Sequence, residues 1–436
     1  MKALALLIVL GSSLPGTSQG QEPDTSALGP RLSLESVVAR TVAYSPGVVG
    51  AQGAVRDAAA LRRVALGTYL PSLSLISSAG WSDQTLTGVG VTPGLASAGV
   101  MNTYGAGLVG ALDVFTGGRR GAQQSYAEAV TQAADAGFVQ QRYATMLVAK
   151  QGYFDVLRAH ELVRVAMEFV AQAELGLGYA RDRLAAGTAT RADVLLAELS
   201  LSTARRQQLA ARDTLSTTSA ALGRLVGANG PVDADSLTTL EPAPLALGDA
   251  GVLALAPAAA PAVAQAQALA SAGAAGVRAS KSQYLPTISV GAGYNWANQS
   301  GVPGALRSGW VVAFTTSFPL FNGFVREASV TQAEVAAEVA TATSADTKRL
   351  ARAEAQRLLG RLHVAEQDIT LTRDAVRLAG EDLRVIQARY RAGIATILDV
   401  LTSQTALIQA ELDLVSSRFT YQVARASLEA LLGREL

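Results

Sequence analysis

The chain of 436 residues contains no cysteine. Disulfides, thiolate metal sites, a thiol nucleophile and a lipid anchor on an N-terminal cysteine are therefore excluded. Charge is scarce as well: 16% of residues are Asp, Glu, Lys or Arg, against roughly 25% in soluble domains. With a formal net charge of +1 and no basic cluster, neither a nucleic acid nor a strongly charged substrate has an electrostatic reason to bind. The two histidines, His160 and His363, lack metal-ligand spacing and read as surface residues. No nucleophile–base pair, phosphate-cradling glycine loop or carboxylate dyad stands out, so neither an enzyme nor a cofactor is expected. Past the N-terminus no stretch supplies the ~20 consecutive apolar residues of a transmembrane helix. Passage through a membrane would have to use β-structure.

What is present is apolar and helix-prone. At 49% hydrophobic content the chain has enough apolar residues for a large core or a membrane surface and is not disordered. Lys2 followed by the apolar run ALALLIVL and then small and polar residues to Gly20 has the layout of a secretory signal peptide, with cleavage expected near Gly20 or Ala27.

The mature chain says most things twice. YLPSLSL at residues 69–75 returns as YLPTISV at 284–290, an offset of 215. Phe115-Thr-Gly117-Gly-Arg-Arg120 returns as Phe321-Asn-Gly323-Phe-Val-Arg326, an offset of 206. The same 206 relates Ala186-Gly187-x-x-Thr190-x-x-Asp193-Val194-Leu195 to Ala392-Gly393-x-x-Thr396-x-x-Asp399-Val400-Leu401, and ALGRLVG at 221–227 to SLEALLG at 427–433. Matches in one order define a tandem duplication. The nine extra residues of the first copy belong to a longer loop within 85–99. The expected division is a signal peptide over 1–20, one repeat over 21–230 and a second over 231–436.

Between YLP and F-x-G each copy alternates with period two, as strands do. Leu73, Leu75, Ala79 and Trp81 are followed by Tyr104, Ala106 and Leu108; in the second copy Val290, Ala292, Tyr294 and Trp296 are followed by Trp310, Val312 and Phe314. Runs of about 10 residues with one apolar face suit a membrane barrel, with Trp81, Tyr104, Tyr294, Trp296 and Trp310 as girdle aromatics. The same pattern also suits a soluble hairpin with tryptophans in its core.

No proline occurs between Pro93 and Pro231 or after Pro319. Residues 119–186 and 326–392 read as helices about 100 Å long. Each ends in the same punctuation: Gly187 and Gly393 as left-handed C′ residues, Thr190 and Thr396 as N-caps, Asp193 and Asp399 bonding back to those caps. Tight hairpins should return over 190–226 and 396–432. Shorter helices from Pro46 and Pro261 complete the length, stacked end to end on the returning ones. The linker over 227–261 reads as irregular and is expected to meet the N-terminal segment and the C-terminus where the short helices abut.

Four strands cannot close a barrel, and lipid does not tolerate an open edge. Two copies would give eight strands with no lumen, whereas three would give twelve and room for a pore. A barrel continued by a helical tube about 100 Å long is a conduit. Across residues 30–434 the doubled YLP, the F-x-G turn and the motif from Tyr390 to Leu401 resemble the TolC-like outer-membrane efflux channels. That resemblance implies a homotrimer with a twelve-stranded barrel in outer-membrane lipid and a twelve-helix tunnel reaching into the periplasm. It further implies the exit duct of a tripartite efflux or type I secretion system, closed at the tip until a periplasmic adaptor and an inner-membrane pump engage it. Members of the family hold the tip with a tyrosine, an arginine and aspartate rings. Tyr390 and Asp399 match the tyrosine and one aspartate, but Ala395 stands at the arginine position and Thr402 at that of a second aspartate. Asp193 and Asp399 are thus either gate carboxylates or helix caps alone. The alternative is a soluble periplasmic coiled-coil adaptor or scaffold, which would need no detergent. Few His and Met residues disfavour a dedicated metal exporter; drug efflux and protein secretion stay open.

Overall fold

The computed structural model describes residues 29–84, 99–236, 242, 245–298 and 306–436. The expected signal peptide, both of its candidate cleavage points and nearly all of the longer loop lie outside the described residues. From its N-terminal end the described chain runs β1 (Arg31–Leu32), α1 (Leu34–Tyr44), α2 (Pro46–Gly67), β2 (Ser72–Gln84) and β3 (Gly99–Phe115). It continues with α3 (Arg119–Ala185), α4 (Arg191–Leu225), β4 (Asp233–Ala234), α5 (Gly248–Ala259), α6 (Pro261–Lys281) and β5 (Thr287–Asn298). The last elements are β6 (Leu306–Ser317), α7 (Val325–Arg391) and α8 (Ile397–Leu432).

Two proline-free runs give two helices of 67 residues each, α3 and α7, about 100 Å long at 1.5 Å per residue. Between them lie α6 above and α8 below, with α2 and α4 on the far side of α3. The stacked pairs abut closely: a Cβ on Gly433, the residue after α8, would meet Pro261 Cγ at 2.4 Å, and one on Gly227, after α4, would meet the Tyr44 ring at 2.9 Å. Both glycines take positive φ, so the chain turns there and leaves no room for a side chain. The interior glycines divide. Gly137 and Gly152 admit Gln265 and Leu225 at 2.9 and 2.7 Å from where a Cβ would stand, whereas Gly121 and Gly360 face open space.

The four long strands form one antiparallel sheet in the order β2-β3-β5-β6. The duplication holds at single-residue level: Leu75 pairs with Leu108 and Val290 with Phe314, Ser72 with Ala111 and Thr287 with Ser317. The two hairpins therefore share one register. β2 and β6 are edges without a partner strand in the chain.

The motifs that frame the strands pack on each other. The arginine after each F-x-G stacks on the tyrosine of its own repeat's YLP: Arg120 lies 5.3 Å from the Tyr69 ring centroid and Arg326 lies 4.2 Å from that of Tyr284. Gly117, at φ +62°, lies under Leu285 of the second YLP, where a Cβ would stand 2.7 Å from that of Leu285. Phe324 occupies the left-handed position that Gly118 holds in the first repeat, the one non-glycine residue with positive φ among those described. It keeps an edge contact with Phe321 at 5.5 Å.

At mid-height the described part of the linker is not irregular throughout. β4 pairs in parallel with β1, and α5 packs on α7 and α8 through Val252 and Ala256. Pro257 inside α5 and the weakly patterned alanines around it hid this helix, because proline near a helix end removes only one bond and alanine carries little periodicity. Val37 of α1, Val232 and Ala234 pack with Tyr153, Phe154 and Phe419 in a second core. The N-terminal segment, linker and C-terminus meet at this level. By length and composition Gly248–Tyr284 also passes as a membrane span, contrary to the sequence expectation. It is two helices broken at Ala260, rich in alanine, and Gly273 lets α6 pack on Ala337 of α7 with only 3.1 Å for a Cβ. Alanine raises mean hydropathy here for close packing.

Candidate functional site: the sheet face and the hairpin tip

Residues paired across antiparallel strands share a face, so the register sorts the sheet. One face carries rows such as Leu73–Gly110–Ala292–Val312 and Leu75–Leu108–Tyr294–Trp310. The other carries Ser72–Ala111–Gly291–Ala313 and Ser78–Gly105–Ala297–Arg307. The apolar face is open: Leu73, Leu75, Trp310 and Phe314 are each more than 70% exposed. An ordinary soluble hairpin would bury those residues, which removes the core reading of the tryptophans. Trp81, Tyr104, Tyr294, Trp296 and Trp310 all fall on the apolar face. Tyr294 packs edge-on against Trp296 at 4.6 Å and Trp310 at 4.9 Å, and its hydroxyl lies 3.1 Å from Ser308 Oγ. At the helix-proximal end Phe318, Phe321 and Phe324 each expose more than half of their surface, and sequence reasoning did not group them with the girdle.

At the opposite end of the molecule the two hairpin turns have matching geometry. Gly187 and Gly393 take φ of +71° and +80°. Asp193 Oδ2 accepts from Thr190 N at 2.7 Å while Asp193 N donates to Thr190 Oγ1 at 3.3 Å. Asp399 Oδ2 accepts from Thr396 N at 2.8 Å and Thr396 Oγ1 at 2.8 Å, and Asp399 N donates to Thr396 Oγ1 at 3.2 Å. These are complete capping boxes. The backbone bond from Thr396, then its hydroxyl, hold the Asp399 carboxyl below the usual carboxylate range. In each box one oxygen is committed to the cap.

Behind the turns Tyr390 is 2% exposed in a core with Phe169, Leu177, Ala180, Ile397 and Val400. Burial pushes its hydroxyl up, partly offset by the adjacent Arg183. The Arg183 guanidinium lies over the ring, 4.5 Å from its centroid, so the hydroxyl has no hydrogen-bond partner among the described residues. Asp193 and Asp399 are thus placed as caps, and Tyr390 as the core of the tip. Sequence reasoning missed Arg183 altogether.

The histidines also do more than face solvent. His160 Nε2 lies 2.5 Å from Asp233 Oδ1, and His363 Nε2 lies 2.8 Å from Asp249 Oδ2. Each ties the linker to a long helix, and Asp249 holds the His363 imidazole above its ordinary range. Tyr153 donates to Asp235 O at 2.5 Å, and burial raises its hydroxyl to about 12.

The sequence profile of the outer membrane efflux proteins matches residues 38–228 and 252–434. The chain belongs to that family. Among curated relatives, the probable efflux pump outer membrane protein TtgC of Pseudomonas putida is 26% identical over 163 residues, 36% of this chain and 33% of TtgC. The outer membrane efflux protein BepC of Brucella suis is 26% identical over 298 residues, 66% of this chain and 63% of BepC. The match thus spans about a third of the first relative and under two thirds of the second. The same fold occurs in the outer membrane protein VceC from Vibrio cholerae, with a TM-score of 0.78 at 20% identity, covering 92% of this chain and 96% of VceC. A membrane protein from Pseudomonas aeruginosa has a TM-score of 0.80 at 19% identity, covering 97% of each chain. The family is one of efflux proteins, not enzymes.

Proposed function

We propose that the protein is the outer-membrane exit duct of a tripartite efflux or type I secretion system. Three copies close a twelve-stranded barrel in outer-membrane lipid and a helical tunnel below it, and the duct passively conducts what an inner-membrane pump and a periplasmic adaptor deliver. Curated relatives named as efflux pump outer membrane proteins favour efflux. The apolar sheet face would meet lipid, with the five girdle aromatics toward its boundary. Asp193, Asp399 and Tyr390 would form the constriction at the periplasmic tip, and Gly187, Thr190, Gly393 and Thr396 its turns.

One observation carries this reading: repeat 2 lacks, inside the chain, the partner that repeat 1 has. Gly117 is covered by Leu285, yet its counterpart Gly323 has nothing within 4 Å of a Cβ, and Leu70, the counterpart of Leu285, is 69% exposed. Ala129, Ala133 and Val165 of α3 are buried, while Val335, Val339 and Leu371 at the same positions of α7 are exposed. A second copy placed on repeat 2 as repeat 2 sits on repeat 1 covers all of these and satisfies the β6 edge with its own β2. Repeating that step closes a ring.

The duplication fixes the register of the missing ladder. Leu108 pairs with Tyr294, and the offsets carry that pair to Phe314 of one copy and Ala79 of the next. The protein has no cysteine of its own, so Phe314→Cys with Ala79→Cys should oxidise to a covalent trimer in detergent. Phe314→Cys with Gly80→Cys, on opposite faces, should not. Equal cross-linking of both pairs, or a cross-linked dimer alone, would refute the assembly.

A further inference from the structure

The seam inside the chain, where α3 meets α8, has a counterpart between copies, where α7 of one would meet α4 of the next. The offset of 206 translates each residue of the first seam into one of the second. At mid-height Phe154 of α3 and Phe419 of α8 meet with ring centroids 6.3 Å apart. Their counterparts are Gly360 and Asp213. About four turns further along α3, Glu168 and Glu411 line one pocket, where burial first and then the Glu168 charge hold the Glu411 carboxyl above the usual range. Their counterparts are Asp374 and Arg205. The translation thus turns two like charges into a pair of opposite sign, and replaces an aromatic contact by a glycine and a carboxylate.

What stands ready on α7 suits that carboxylate. A groove of about 680 Å³ passes Phe154 and Phe419 and runs beside Arg357, Gly360, Arg361 and Val364. Nothing lies within 4 Å of a Cβ on Gly360, and Val364 is 67% exposed. Arg357 is bonded to Glu354 of its own helix, whereas Arg361 makes no hydrogen bond or ion pair among the described residues, and neither does Asp213. Arg205 donates to Glu174 at 3.1 Å and Asp374 lies 3.6 Å from Arg377, both in exposed pairs that contribute little. We propose that one copy recognises the next by charge along this seam: Asp213 enters the groove to meet Arg361, and Arg205 meets Asp374, while the matching seam inside a chain relies on aromatic and aliphatic packing. This rests on the ring reading above and adds what selects the neighbour. Complementary charge fixes partner and orientation more than affinity, and like charge brought together there is repelled.

The test swaps the charges. Asp213→Arg sets arginine against Arg361 at every junction, so the temperature at which half of the detergent-solubilised trimer dissociates should fall by several degrees, and Arg361→Asp should lower it likewise. With both changes in one chain the loss should be smaller than the sum of the two, the mark of direct pairing. Arg205→Asp with Asp374→Arg should behave in the same way, because any cost inside the chain is already present in the single variants. All four side chains are exposed in one chain, so the helical circular dichroism of each variant should match that of the wild type. At about 1 M salt, where charges are screened beyond roughly 3 Å, the deficit of Asp213→Arg should shrink. Additive losses in both double variants, or a deficit that salt leaves unchanged, would overturn the recognition while the trimer stands. Wild-type protein that is never a trimer would refute the ring itself, and this recognition with it.

Discussion

Single residues at the tip serve two demands that pull on the same atoms. Asp399 caps α8 with one oxygen and leaves the other free, and Asp193 does the same for α4. If both ring a narrow column of water, six carboxylates attract cations and repel anions there. Asp193→Asn with Asp399→Asn keeps an acceptor for the cap and removes the charge, so bilayer recordings should show lower cation preference and weaker block by multivalent cations. Unchanged selectivity would leave these residues as caps only. His363 provides a pH dependence of known sign. Because Asp249 raises its folded value, the bond it makes is fully present below the unfolded value of about 6.5 and is lost as pH rises through the higher folded value. Deuterium protection of α5, corrected for intrinsic exchange, should fall across that interval and become independent of pH in His363→Gln.

At the scale of elements, the sequence made the punctuated parts legible. Proline at the start of α2 and α6 and the Gly-x-x-Thr-x-x-Asp turns placed helix ends within one or two residues, because each fixes backbone geometry locally. Strand faces were legible too, since period two survives in both copies. α5 was not, its alanines and Pro257 giving no period. The Arg183–Tyr390 stack was invisible for a different reason: its partners lie 207 residues apart and have no duplicate to draw attention to them. The strand faces support a quantitative expectation. β5 and β6 have 12 residues each, about 40 Å, which at a tilt near 40° spans roughly the 30 Å of hydrocarbon. Arginine at Val312 or Phe314 should therefore destabilise the barrel by about 2–4 kcal/mol in denaturant titrations from detergent or lipid, and arginine at Ala313 by little. Equal losses on both faces would place the sheet outside lipid.

For the whole molecule, two near-copies in one chain mean that every contact inside it previews a contact outside it. In the proposed ring, repeat 1 finds in repeat 2 what repeat 2 finds in the next chain. Phe324 illustrates the asymmetry: where repeat 1 relaxes with glycine, repeat 2 holds a strained phenylalanine outward beside Phe321, at the helix-proximal rim of the sheet. The two free strand edges carry a kinetic consequence. A lone chain offers β2 and β6 to any other strand, and lipid rejects both while they are unpaired. If the proposed ring forms, insertion is therefore not a first-order event of one chain. Its rate should climb more steeply than in proportion to the number of chains present, and the time each newly exported chain waits for its neighbours becomes the interval in which its edges are exposed to wrong partners.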